Sequence, residues 1–132
     1  MNSMKILIID DDENLLALLS KNIESWGYEA IPASSGKEAL DMIRNVKADV
    51  IVLDYLMPGM DGVDTLRELR MIDEKVPVIM FTSFPDKRSI EGTEKLGILA
   101  YVPKVGVFTD AESSLKTAIE IAQKRIRGPD RS

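Results

Sequence analysis

The chain has 132 residues, with 17 Lys and Arg against 22 Asp and Glu, a net charge of −5, and neither cysteine nor histidine. That length implies one domain able to bury a sizeable core unaided. The missing residue types exclude a disulfide framework, a thiolate nucleophile, a Ser-His-Asp triad and a zinc site of nitrogen and sulfur ligands.

An acidic balance argues against direct nucleic-acid binding, which draws on a Lys and Arg surface to displace counterions. The longest apolar runs, Ile6–Ile9 and Val50–Leu53, are far too short to span a membrane. The N-terminus lacks an export signal, so a soluble cytoplasmic protein is expected.

Lys5–Ile9 is a short β-branched run ended by Asp10, Asp11 and Asp12, the pattern of a strand buried on both faces. From Glu13 the period changes: Leu15, Leu16, Leu19, Ile23 and Trp26 recur at helical spacing, with Asp12 as cap and Gly27 as stop. The alternation then repeats, with a strand over Tyr28–Ala33, a helix over Lys37–Val46 capped by Ser35, and a strand over Asp49–Leu53. After the irregular segment Tyr55–Met60, Asp61 caps a helix carrying Val63, Leu66 and Leu69. A fourth strand is expected over Val76–Phe81, with Pro77 at its beginning. Asp86–Leu96 is a weaker helix interrupted by Gly92 and closed by Gly97, and Ile98–Val102 is a fifth strand. Asp110–Arg127 completes the chain as a long amphipathic helix that ends before Gly128 and Pro129.

Strands alternating with helices imply a parallel sheet with right-handed crossovers and helices on both faces, a doubly wound α/β fold. Ligands of such sheets bind beyond the carboxyl ends of the strands. Those ends carry Asp10, Asp11 and Asp12, then Asp54, then Thr82 and Ser83, then Lys104. Clustered carboxylates raise one another's pKa unless a cation shares the site, and an oxygen-only donor set suits a hard ion. Mg2+ fits better than calcium, because the alternating acidic ligands of a calcium loop are absent; Mn2+ comes second. A carboxylate beside Mg2+, a lysine ammonium and a hydroxyl is equipment for in-line attack on phosphorus, giving an aspartyl phosphate.

With ILII before Asp10 and Asp11, VIVLDYLMPGMDG around Asp54, VIMFTS around Thr82 and AYVPK ending at Lys104, the sequence resembles the receiver domains of two-component response regulators over Lys5–Ile126. The resemblance implies a flavodoxin-like (βα)5 fold with strand order 2-1-3-4-5. It implies Asp54 as phosphoacceptor, and Asp11, Asp54 and the Leu56 carbonyl as direct Mg2+ ligands, with Asp10 acting through water on the ion. Thr82 would bond a phosphoryl oxygen, Lys104 would pair with the Asp54 carboxylate at rest, and Tyr101 would occupy the aromatic switch position. A histidine kinase or histidine phosphotransfer protein would be the donor. A downstream protein or output domain would be the target, engaged through the fourth helix, fifth strand and fifth helix, a surface also suited to homodimerisation. Residues 1–127 would form the receiver domain and 128–132 a tail or the start of a linker.

Several residues also have plainer readings. Asp12 and Glu13 read as a cap and turn, Tyr101 alone reads as core packing, and Lys124, Arg125 and Arg127 complement the last helix's dipole. Where the family has proline after the lysine this chain has Val105, so a trans bond and a different loop path over Val105–Thr109 are expected. The resemblance places Leu56 and Phe84 beside the phosphoryl position; both are apolar and unable to orient a water, which implies slow self-dephosphorylation. A phosphohydrolase acting on external substrates is disfavoured because no second acid follows Asp54 by two residues. A pseudo-receiver that is never phosphorylated is disfavoured by the intact acidic pair, threonine and lysine.

Overall fold

The computed structural model describes residues 3–83, 87–104 and 108–127. Ten elements alternate along the chain: β1 (Lys5–Ile9), α1 (Glu13–Ser25), β2 (Glu29–Ala33), α2 (Gly36–Ile43), β3 (Val50–Leu53), α3 (Gly62–Ile72), β4 (Val78–Thr82), α4 (Lys87–Lys95), β5 (Ala100–Pro103) and α5 (Phe108–Arg127). The strands form one sheet in the order β2-β1-β3-β4-β5, every neighbouring pair parallel. This is the flavodoxin-like topology expected from the sequence.

Side chains alternate across each strand and so feed two separate cores. Ile6 and Ile8 of β1, Val50 and Val52 of β3, and Ile79 and Phe81 of β4 pack under α1 and α5, against Leu19, Ile23, Leu115 and Ile119. Leu7, Ile9, Ile51, Leu53, Val78 and Met80 face the other way, against Ala39 of α2 and Leu66 and Leu69 of α3. The central strands β1, β3 and β4 are therefore continuous apolar runs. The edge strand β2 instead exposes Glu29 and Pro32, and proline is tolerated there because an edge leaves an N–H position unpaired.

The expected caps form. Asp12 accepts from the Asn14 and Leu15 amides, each at 3.1 Å, Ser35 from Glu38 at 3.0 Å and Asp61 from Asp64 at 2.9 Å. Gly27 and Gly97 take the positive φ, +96° and +75°, that lets the chain leave α1 and α4.

Element ends differ from the sequence reading where proline or a turn intervenes. β4 begins at Val78 because Pro77 has no N–H to give, although its carbonyl accepts from Ile51 at 2.9 Å. The same strand runs one residue further, to Thr82, whose carbonyl accepts from Lys104 at 2.8 Å. β5 is displaced to Ala100–Pro103, since pairing to β4 starts with the Leu99 amide on Val78. Helix α2 stops at Ile43, and the Asn45 and Val46 amides both close a turn on the Met42 carbonyl.

Candidate functional site

Parallel strands bring their carboxyl ends to one rim, and there the sheet gathers the residues singled out in the sequence. Asp10 follows β1 and is buried; its amide donates to the Ala33 carbonyl at 3.1 Å, and its Oδ1 accepts from the Asp12 amide at 2.9 Å. Asp54 follows β3 and is only 7 % exposed. Its amide donates to the Ile9 carbonyl at 3.0 Å, and its Oδ1 accepts from the Tyr55 amide at 2.9 Å. Asp11 is exposed on the same rim. One carboxylate oxygen from each of Asp10, Asp11 and Asp54 lies within 4.8 Å of the others.

Lys104 reaches this cluster from β5. Its Nζ donates to Asp10 Oδ2 at 2.5 Å and lies 3.7 Å from Asp54 Oδ1. The family resemblance puts the resting lysine on Asp54, whereas here the shorter contact is to Asp10. The Asp54 carboxylate is already bonded by the Tyr55 amide and by the Thr82 side chain, which leaves Asp10 Oδ2 as the more open acceptor. Thr82 is fully buried at the end of β4.

Burial pushes the Asp54 carboxyl up to about 6, and neighbouring Asp10 adds to the rise. Lys104, the Thr82 hydroxyl and the Tyr55 amide each pull it down without cancelling that effect. Among the described residues three carboxylates share one ammonium, which leaves the site short of positive charge. Its donors are all oxygen, which fits a hard divalent cation. The open cleft over the cluster is lined by Asp10, Asp11, Asp12, Asp54, Leu56, Ser83 and Lys104. Leu56 is 46 % exposed at its mouth.

The turn after β3 is held by a contact that the sequence reading did not single out. The Gly62 amide donates to the Tyr55 carbonyl at 2.7 Å, and a Cβ at Gly62 would fall 2.4 Å from the Asp54 carbonyl oxygen. Only glycine lets α3 begin this close to Asp54, and its place in the DG pair opening a helix was the available signal. Ser83, next after Thr82 at the end of β4, lines the cleft. Tyr101 is half-buried, with its hydroxyl 2.9 Å from Ser89 Oγ on α4. Phe84, the Lys104–Val105 bond, the path of residues 105–107 and the tail 128–132 lie outside the described residues.

A doubly wound, flavodoxin-like sheet thus carries an acidic, lysine-bridged cluster at its carboxyl rim. The family described as the response regulator receiver domain matches residues 6–121. Sporulation initiation phosphotransferase F of Bacillus subtilis is 35 % identical over 104 residues, 79 % of this chain and 84 % of that protein. The alkaline phosphatase synthesis transcriptional regulatory protein PhoP of the same organism is 42 % identical over 79 residues, 60 % of this chain but only 33 % of that longer protein. The solved structure of response regulator protein TrrA from Thermotoga maritima, in complex with Mg2+ and BeF, superposes with a TM-score of 0.75. It is 29 % identical and covers 87 % of this chain and 98 % of its own.

The chain belongs to the response regulator receiver domain family. It is a phosphorylation-activated signalling domain of two-component systems rather than a classical turnover enzyme. Response regulators work with kinases and output domains, and receiver domains bind Mg2+ at an acidic pocket. Among the described residues no helix is long and apolar enough to cross a membrane.

Proposed function

We propose that this receiver accepts a phosphoryl group on Asp54 and relays its arrival to the surface formed by α4, β5 and α5. The observation that carries the reading is the convergence of Asp10, Asp11 and Asp54 within 4.8 Å, bridged by Lys104. An Asp54 carboxylate oxygen attacks phosphorus in line; a P–O bond forms to Asp54 as the donor's bond to phosphorus breaks and its leaving group departs. Mg2+, or Mn2+ in its place, held by Asp11, Asp54 and the Leu56 carbonyl with Asp10 in the outer shell, would neutralise the charge on the transferring oxygens.

The protein's own groups do the rest. The Tyr55 amide fixes the attacking carboxylate's orientation. Thr82, already bonded to Asp54, donates its hydroxyl to a phosphoryl oxygen, and Lys104 passes from Asp10 to the new dianion. Modification adds about −1.5 to −2 charges and three acceptors at one point. Thr82 follows them, and Tyr101 gives up Ser89 on α4 and turns inward, which changes the α4-β5-α5 surface. Leu56 offers no group to orient an attacking water, so the phosphoryl group is lost slowly.

With no histidine in the chain, the donor is a separate sensor histidine kinase or histidine phosphotransfer protein. The target is a downstream protein or output domain engaged by α4-β5-α5, a surface also available to a second copy. Residues 1–127 act as the receiver unit, working in the cytoplasm, and 128–132 as a tail or linker start.

Intact mass after incubation with acetyl phosphate and Mg2+ tests the reading. One added phosphoryl group is expected, absent with EDTA and absent in Asp54→Ala, and persisting long after the donor is removed. A wild-type chain that gains no mass from acetyl phosphate or from a phosphorylated histidine protein is a pseudo-receiver, and the reading fails.

A further inference from the structure

Lys104 follows β5 at one edge of the sheet, whereas the carboxylates it meets follow β1 and β3, with β4 lying between. Its side chain therefore has to cross β4. Strand alternation places Val102 of β5 and Phe81 of β4 side by side in the core under α1 and α5, and two residues beyond Val102 the same face is reached again at Lys104. What β4 presents beneath the crossing lysine is an aromatic ring. Phe81 is 1 % exposed, and the Lys104 Nζ stands over it, 5.4 Å from the ring centroid.

We propose that Phe81 is a positioning residue for phosphoryl transfer, its π face carrying the Lys104 ammonium across β4 and holding it between Asp10 and Asp54. The proposal rests on the function proposed above. A lysine stem has many rotamers, and both of this lysine's anionic partners lie on one side of it. The ring supplies a third contact from below, within the ~6 Å over which an ammonium is attracted to an aromatic face. Because that attraction is broad in direction, the ammonium can move from Asp10 toward an incoming phosphoryl group without leaving the ring. The ring itself cannot turn away, being packed on all sides in the core. Valine in place of proline after Lys104 makes a hold on the side chain itself more consequential.

The test replaces Phe81 in the full chain by a site-specific series of fluorinated phenylalanines, which weaken the π face stepwise while leaving the shape nearly unchanged. The rate of phosphorylation by acetyl phosphate at saturating Mg2+ is expected to fall progressively, roughly 2- to 10-fold across the series. The effect is expected in the maximal rate more than in half-saturation, and the series should be flat in a Lys104→Met background. Independently of phosphorylation, the Lys104 ε-methylene protons should resonate upfield in the wild type and lose that shift in Phe81→Leu. A rate indifferent to ring fluorination, or one that falls equally with Lys104 removed, would overturn the role. Absence of the upfield shift would overturn the placement. If the wild type takes no phosphoryl group the parent function fails and the role with it, while the proton shift still decides whether the ring holds the ammonium.

Discussion

Asp54 is placed at a cost. An acid whose folded pKa is raised, here to about 6 from 3.8, stays protonated in the folded state over a range where the unfolded chain has already ionised. Stability therefore falls as pH rises between about 4 and 6 and levels off above, the full penalty being present at neutral pH. In divalent-free buffer, Asp54→Asn should be more stable than the wild type at pH 7.5 by about 1–3 kcal/mol, a range that allows for solvent and Lys104 relaxing around the charge. The gap should shrink at pH 4.5. Urea denaturation at the two pH values reads this directly; an equal gap at both would mean that burial does not penalise the carboxylate.

The burial of Asp54 at the rim was legible in the sequence, because an acid closing the wholly apolar run VIVL is drawn in with its strand. The partner of Lys104 was not. Sequence order says which residues reach the rim, but which of two carboxylates has an open lone pair depends on the Tyr55 amide and Thr82, which are settled only by the folded turn.

At the scale of elements, the periodicities found all ten, and the errors fell at their ends. Pro77 delayed the start of β4 by lacking a ladder donor, β5 took up its pairing only from Leu99, and the turn on Met42 shortened α2. What periodicity could not supply is how the elements are tied at the end of the sheet opposite the acidic rim. There Arg70 of α3 donates from Nε to the Leu96 carbonyl at 2.7 Å, from Nη1 to Val76 at 2.7 Å, and from Nη2 to Gly97 at 3.0 Å. One guanidinium thus joins the end of α3, the entry to β4 and the exit of α4. Arg70→Met, which keeps most of the apolar stem, should cost about 1–3 kcal/mol in chemical denaturation and speed amide exchange at Gly97 and Ile98. Lysine should not rescue it, since a single ammonium cannot span three diverging carbonyls. A loss below a few tenths of a kcal/mol would show that water replaces the donors freely.

For the molecule as a whole, the fold class followed from the βα alternation and the family from four motifs kept in register, two signals that survive errors at individual ends. The two cores and the shared rim are consequences of parallel topology, so they were implied once the alternation was seen. The helix-to-sheet closeness at Gly62 depends on how tightly the turn after β3 folds back, and the ring beneath Lys104 on the lateral pairing of β4 with β5, neither of which periodicity specifies.

The position of Trp26, the single tryptophan, gives this architecture an optical handle. Its backbone N–H closes α1 by donating to the Asn22 and Ile23 carbonyls, and the residue is half-buried against the α1–α5 core. The chain then enters β2 by bonding Glu29 to the Met4 carbonyl, at the end of the sheet remote from the acids. Its emission therefore follows folding and is blind to what loads the rim. A direct fluorescence titration with Mg2+ should be flat, yet the same signal in a urea ramp should shift to higher denaturant as Mg2+ rises, by about 2.7 kcal/mol at a hundredfold excess over the dissociation constant. EDTA should return the curve to its starting position. An ion with no colour, bound where no chromophore can see it, becomes measurable as the displacement of an unfolding curve, and a curve that does not move would rule out cation binding at the rim.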